Sequence, residues 1–228
     1  MAIALGLDIG TTSTIGILID VAGGVLATAE RPVALSSPRP GWAEEDPEQW
    51  WANAGEVCRE LIALAGVAPR AIGAVGVTGM LPAVVLLDAD GRPVRPSIQQ
   101  SDGRCGAEVR ELALETDEAG FLARTGQGIT QQLVAPKLRW LARHEPDTLR
   151  AARTLQGAYD LIVHRLTGVP SLEANWALEA GFLDLATGDL EDDLVALAGI
   201  DRSLLPPVRR AADVVGTVTA AAAAHTGL

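Results

Sequence analysis

An apolar run from Ala2 to Leu7 ends in an acidic residue, Asp8, turns through Gly10-Thr11-Thr12, and re-enters an apolar run over Ile15 to Ile19. That pattern is a strand, a tight turn and a second strand. Strands are expected at about 3–8, 14–20 and 25–33, with Gly23-Gly24 turning the chain between the second and third. A loop rich in Pro and Ser, Ser36 to Gly41, follows, and the period then becomes helical. Asp46 stands where it can cap a helix, Pro47 takes the first position, and Glu48 complements the positive end of the dipole. Trp50, Ala54, Val57, Leu61 and Leu64 then form one stripe of a helix running to about Ala65.

After Pro69 the strand pattern returns at Ile72 to Thr78 and at Ala83 to Leu87, with Asp88-Ala-Asp-Gly91 as a turn. Helices are expected at about 102–115, Pro136 to Arg143, Pro146 to Arg153, Ala158 to Leu166 closed by Gly168, Glu191 to Ala198, and Val218 to His225. Strands come first and βα alternation follows, so the class is α/β with a mixed sheet, and residues 1–228 are expected to form one domain.

Composition narrows the function classes. The formal net charge of −11, from 29 acidic and 18 basic residues, disfavours nucleic-acid backbones and anionic membranes as partners. Cys58 and Cys105 lie in no metal-binding spacing and the three histidines are scattered, which argues against a zinc site and for a reducing, cytoplasmic setting. The first apolar run stops at Asp8, too early for a signal peptide, and no stretch approaches 18 apolar residues, so no membrane span is expected.

The turn after Asp8 carries the candidate chemistry. A turn of small residues leaves main-chain N–H groups free to attract an anion, two threonine hydroxyls add donors, and Asp8 can hold Mg²⁺ through water. Together these suit the tail of a nucleoside triphosphate. The competing reading is an ordinary hairpin with local capping.

Four segments give the chain a family resemblance: Gly6-Leu-Asp-Ile-Gly-Thr-Thr-Ser13, Gly41-Trp-Ala-Glu-Glu-Asp-Pro-Glu-Gln-Trp-Trp51, the stretch from Val84 to Arg104, and Pro136-Lys-Leu-Arg-Trp-Leu-Ala-Arg-His-Glu-Pro146 followed by Tyr159-Asp160 and Arg165-Leu-Thr-Gly168. In this order they resemble the N-terminal half of the FGGY family of carbohydrate kinases, xylulokinases among them. The resemblance implies a ribonuclease-H-like domain of the actin and hexokinase type, with a mixed five-stranded sheet and flanking helices. It also implies ATP-dependent phosphorylation of a sugar: a ketose such as xylulose, or a related polyol or sugar acid. ATP and Mg²⁺ are the implied cofactors, sugar and ATP the implied partners, and a homodimer one candidate assembly.

By the same resemblance, Asp8, Gly10, Thr11 and Thr12 would hold phosphate and metal. Met80, Gln100, Asp102, Arg104 and Tyr159 are the sugar-side candidates, with Glu173 and Asn175 nearby. No catalytic residue is expected in this chain, because the general-base aspartate would lie in a second, C-terminal lobe. Two positions depart from the family pattern. Leu81 stands where a polar sugar contact is usual, and Gln100 stands at the aromatic position of Trp-x-Asp-x-Arg, so xylulose itself does not follow. Each candidate has a plainer reading: packing for Met80 and Tyr159, a surface ion pair or helix cap for Asp102 and Arg104, and a solvated loop and cap for the acidic run Glu44, Glu45, Asp46. A non-catalytic sugar- or nucleotide-binding module of the actin-like group is the alternative function.

Overall fold

A computed structural model describes residues 2–228. In chain order its elements are β1 Ile3–Ile9, β2 Ser13–Asp20, β3 Gly24–Pro32, β4 Glu44–Glu45, α1 Pro47–Ala65, β5 Ile72–Gly79, β6 Val85–Leu87, β7 Ser97–Ile98, α2 Gly106–Glu115, α3 Glu118–Thr125, α4 Val134–His144, α5 Pro146–Ala151, β8 Thr154–Gln156, α6 Ala158–Thr167, β9 Leu172–Glu173, α7 Ala174–Glu179, α8 Asp192–Ala196, β10 Val208–Arg209 and α9 Ala220–Thr226. The class is α/β with a mixed sheet, as the pattern implies.

The principal sheet has the order β3-β2-β1-β5, with β1 antiparallel to β2 and parallel to β5. It therefore has four strands, one fewer than the resemblance led us to expect. The chain leaving β5 crosses Met80 to Ala83 and enters β6, which pairs antiparallel with β8 instead of joining the sheet. The outer edge of β5 consequently carries no partner strand among the described residues.

One face of the sheet packs on α1. Along β1 the residues Ile3, Leu5, Leu7 and Ile9 are buried, and the alternate positions Ala4, Gly6 and Asp8 face the other side. The fit against α1 is close: a Cβ on Gly16 would meet Val57 at 2.3 Å. Helix α1 runs from Pro47 to Ala65 as the stripe and cap imply, with the Asp46 side chain accepting from the Glu48 N–H and Gly66 closing the end in the left-handed region at φ 62°. Leu64 is the exception in that stripe: it is 62% exposed. His225 of α9 stacks on Trp51 (4.3 Å between ring centroids) and bonds to its carbonyl, fastening the C-terminal helix to α1.

Helix α2 begins at Gly106 and not at 102, because the Asp102 carboxylate accepts the Arg104 main-chain N–H (3.0 Å) and holds residues 102–104 in a loop. Helices α3 and α7 lie where no element was expected. With eight and six residues they are too short to express a periodicity.

The parallel pair β1/β5 sets the geometry of everything that follows. It puts Asp8 beside Thr78 and Ile9 beside Gly79. The approach there is tight, since a Cβ on Gly79 would lie 2.6 Å from the Ile9 carbonyl oxygen. Gly79→Ala must push the two strand ends apart at main-chain atoms that cannot swing away. It is expected to destabilise the domain by about 1–3 kcal/mol in urea denaturation, and an unchanged midpoint would show that the strand ends move freely.

Candidate functional site

The predicted phosphate turn sits at the C-terminal end of β1, where ligands of parallel sheets collect. Gly10 donates its N–H to the Ser13 carbonyl at 3.0 Å and closes the hairpin. That bond uses one donor the sequence reading left for an anion. The N–H groups of Thr11 and Thr12 remain without a main-chain partner among the described residues. The Asp8 carboxylate lies beside the turn, with Oδ2 3.9 Å from the point a Gly10 Cβ would occupy.

The turn and the sugar-side segment meet here. Met80 donates its N–H to the Ile9 carbonyl at 2.9 Å, and the Thr11 hydroxyl donates to the Met80 sulfur at 3.5 Å. Residues 69 positions apart are thereby joined, and Met80, 9% exposed, touches the turn from the core.

Asp102 and Arg104 are arranged otherwise than expected. Their ion pair (2.7 Å) is buried, with both side chains at 0% exposure, and it is not a surface pair. The Asp102 oxygens accept from the Ala43 and Arg104 N–H groups as well as from the guanidinium. Burial alone would raise this carboxyl, but these bonds outweigh it and hold it below the usual carboxylate range. Arg104 also reaches Glu44 at 2.7 Å and lies over the Trp42 ring at 3.8 Å, while Arg95 bonds to Glu44 at 2.5 Å and to Glu145 at 3.0 Å. These charges fasten the loop from Gln100 to Arg104 against the segment from Gly41 to Glu44. The two side chains are engaged with protein, which leaves Gln100, half-buried, as the sugar-side candidate of that loop.

The acidic run is likewise not solvated. Asp46 is exposed and caps α1, but Glu44 and Glu45 are buried in β4. Burial pushes the Glu45 carboxyl up to about 7, against the opposing effect of the bond it accepts from the Trp50 indole N–H at 2.8 Å. Its other oxygen has no partner among the described residues.

Tyr159 belongs to a separate wall. Its hydroxyl donates to Glu173 at 3.2 Å, and the same carboxylate accepts from the Asn175 N–H at 2.8 Å. With Thr78 and Leu81 these residues close one end of a groove of about 940 Å³ that runs along the open edge of β5. Asp160, also on this groove, is buried and pushed up to about 7, while its oxygens accept from the Gly157 and Glu173 N–H groups.

Sequence reasoning missed Lys137. It is fully buried on α4, in line with Val134, Leu138 and Leu141. The signal was present, because a lysine on the apolar stripe of a helix has its charge on the wrong face.

Over residues 3–228 the chain matches the model for the N-terminal domain of the FGGY family of carbohydrate kinases. The chain belongs to that family. FGGY relatives include the xylulose kinase of Streptomyces rubiginosus, 34% identical over 218 residues, and the glycerol kinase of Methylorubrum extorquens, 34% identical over 220. These alignments cover 95% and 92% of this chain and 44% of each relative, so the chain spans less than half their length. The crystal structure of xylulose kinase from Rhodospirillum rubrum superposes with a TM-score of 0.97 at 59% identity, covering 99% of this chain and 46% of that one.

Two stability predictions follow from the buried charges of this FGGY domain. Ionised Glu45 is the form that burial disfavours, so its contribution is intact below about pH 4.5 and is lost as pH rises towards 7. Glu45→Gln is expected to gain about 1–3 kcal/mol relative to wild type between pH 4.5 and pH 8; a gap that does not change with pH would show that the carboxyl is not perturbed. Arg104→Met strands Asp102 as a lone buried charge and should cost about 3–5 kcal/mol, most of it recovered in the double variant with Asp102→Leu. Equal losses in the single and double variants would mean that the charges are not coupled.

Proposed function

We propose that this chain is the N-terminal lobe of an ATP-dependent carbohydrate kinase, holding the phosphate tail of ATP and one side of the acceptor sugar. The observation that carries this reading is the junction of the Asp8 to Thr12 turn with Met80, which brings an anion-binding turn and a sugar-side segment within one hydrogen bond of each other. The acceptor is a ketose such as xylulose, or a related polyol or sugar acid. The relatives named xylulose kinase and glycerol kinase support a ketose or a polyol.

Phosphoryl transfer asks mainly for positioning and charge neutralisation. The free N–H groups of Thr11 and Thr12 and the Thr12 hydroxyl are the donors available to phosphate oxygens. Asp8 fits a Mg²⁺ ion. No cluster of three or more ligating side chains occurs among the described residues, and Mg²⁺ held by one carboxylate, phosphate oxygens and water requires none. Bound there, the ion would neutralise charge on the transferring phosphoryl group. On the acceptor side, Met80 and Leu81 offer apolar contact and Gln100 a carboxamide, a surface suited to a sugar's carbon backbone with a single orienting hydrogen bond.

The base that takes the proton from the attacking hydroxyl belongs to the remainder of the protein, as does the adenine pocket. That second lobe would cover the open edge of β5 and the groove beside it. Cytoplasm is the proposed compartment, since both cysteines are unpaired and buried. No helix is long and apolar enough to cross a membrane among the described residues.

Asp8→Asn in the intact kinase tests the reading. It keeps the shape of the turn and removes the charge, so kcat should fall about 10³-fold, about 4 kcal/mol, while the sugar dissociation constant measured by calorimetry stays within twofold. Activity retained within tenfold would remove Asp8 from the phosphate site.

A further inference from the structure

We propose that Lys137 is a positioning residue for the acceptor site, its buried ammonium pinning the main chain of Gln100 to that of Gln131 and Gln132. The proposal rests on the reading of this chain as a kinase lobe only in taking Gln100 as an acceptor-side residue.

Lys137 lies where the packing asks for an apolar side chain. Val134, Leu138 and Leu141 share its stripe of α4 and all are buried. A methionine would fill similar space without the cost of removing an ammonium from water. No carboxylate pairs with it among the described residues, and the nearest candidate, Asp102, is occupied by Arg104 and by two main-chain N–H groups. What the ammonium meets is main-chain oxygen: Gln131 at 2.6 Å, Gln132 at 3.1 Å and Gln100 at 3.4 Å. Three donors therefore find three carbonyls, from two loops more than thirty residues apart. Burial pushes the ammonium down to about 8, against the smaller opposing effect of nearby negative charge at Asp102.

The placement of Gln100 depends on this pin more than that of its neighbours does. Gln99 is tied to Ala43 through its N–H at 2.9 Å, and Asp102 is locked in its ion pair. Between them the ammonium bond is what holds the Gln100 carbonyl, and fixing the carbonyl fixes the direction in which the side chain leaves the loop. The two loops are in close contact along this line. The Cys105 sulfhydryl lies 3.9 Å from the same Gln131 carbonyl, and a Cβ on Gly103 would sit 3.4 Å from the Gln131 side-chain oxygen. Lys137 itself is sealed from solvent and cannot touch a substrate, so its influence passes through Gln100.

Two variants and two readouts test the idea. In the intact kinase, Lys137→Met should raise the sugar KM about tenfold or more, the scale of a lost charge-assisted hydrogen bond, with the ATP KM within twofold. Lys137→Arg, which keeps the charge and the donors, should recover part of that loss. In the same intact kinase, Lys137→Met should speed amide hydrogen exchange in residues 99–104 and 130–133 and leave β1 to β3 unchanged. An unchanged sugar KM, equal rises in both KM values, or exchange that quickens uniformly would overturn the proposal and leave Lys137 a core residue. Should Lys137→Met fail to fold, Lys137→Gln takes its place: a sugar KM no different from wild type overturns the proposal, and a selective rise supports it. If the wild-type kinase phosphorylates no sugar, the functional reading fails, while the exchange pattern still decides whether the ammonium pins the loops.

Discussion

The parallel pairing of β1 with β5 is the constraint on which the site depends. It is long-range, closing a loop of about seventy residues between Ile9 and Met80, and such closure costs more entropy than a hairpin does. The reward is concentrated at the strand ends. Asp8 and Thr78 come side by side, Gly79 lets the Ile9 carbonyl approach without a clash, and Met80 receives the Thr11 hydroxyl. A parallel pair sends both chains out at the same edge, so two loops with different chemistry leave the sheet together. In an antiparallel pair the turn and the sugar-side segment would leave at opposite ends.

The two sides of the site are held by different forces. The turn after Asp8 is a product of the ladder: its position follows from the register of β1 against β2, and the Gly10 bond to Ser13 spans only Thr11 and Thr12. The acceptor loops have no such frame. They are held by buried charge, with Glu44 between Arg95 and Arg104, Asp102 under Arg104, and Lys137 under the Gln100, Gln131 and Gln132 carbonyls. Buried ion pairs contribute little net stability against an apolar core of the same volume, yet losing one partner is expensive. Their effect here is directional, because a charge-assisted bond fixes an angle where an apolar contact fixes only a distance.

This division explains what was legible in the sequence. The strands β1 to β3, helix α1 with its Asp46 cap and Gly66 stop, and β5 were readable because alternation, capping and turn residues are local signals. The two-residue strands β4, β7, β9 and β10 are stabilised by partners far along the chain and leave no local trace. The residues of the candidate site were named, but the state of several was not. Asp102 and Arg104 read as sugar-side residues or a surface ion pair, and Glu44 and Glu45 as solvated, because charged residues usually are. Their burial follows from Trp42, Trp140 and the returning segment at Arg95, which no window of sequence brings together. The fifth strand was an expectation of the resemblance, and the chain after β5 goes elsewhere, into the β6/β8 ribbon.

A frame of strands on the donor side and a frame of charges on the acceptor side make different demands on change. Altering the turn disturbs the register of a four-stranded sheet, so the phosphate half tolerates little. The acceptor half can be re-aimed by residues that line no pocket. Leu81 and Gln100 are the proposed contacts for a sugar, and on the inference above the angle at which Gln100 is presented is set by the ammonium bonded to its carbonyl and by an Asp–Arg pair two residues on. Substitution at Gln100 alone would change the contact and leave the loop where it is. Substitution at Lys137 would move the loop and keep the contact. On the function proposed above, selectivity for the acceptor would have two separable determinants on this lobe, and only one of them would face the ligand.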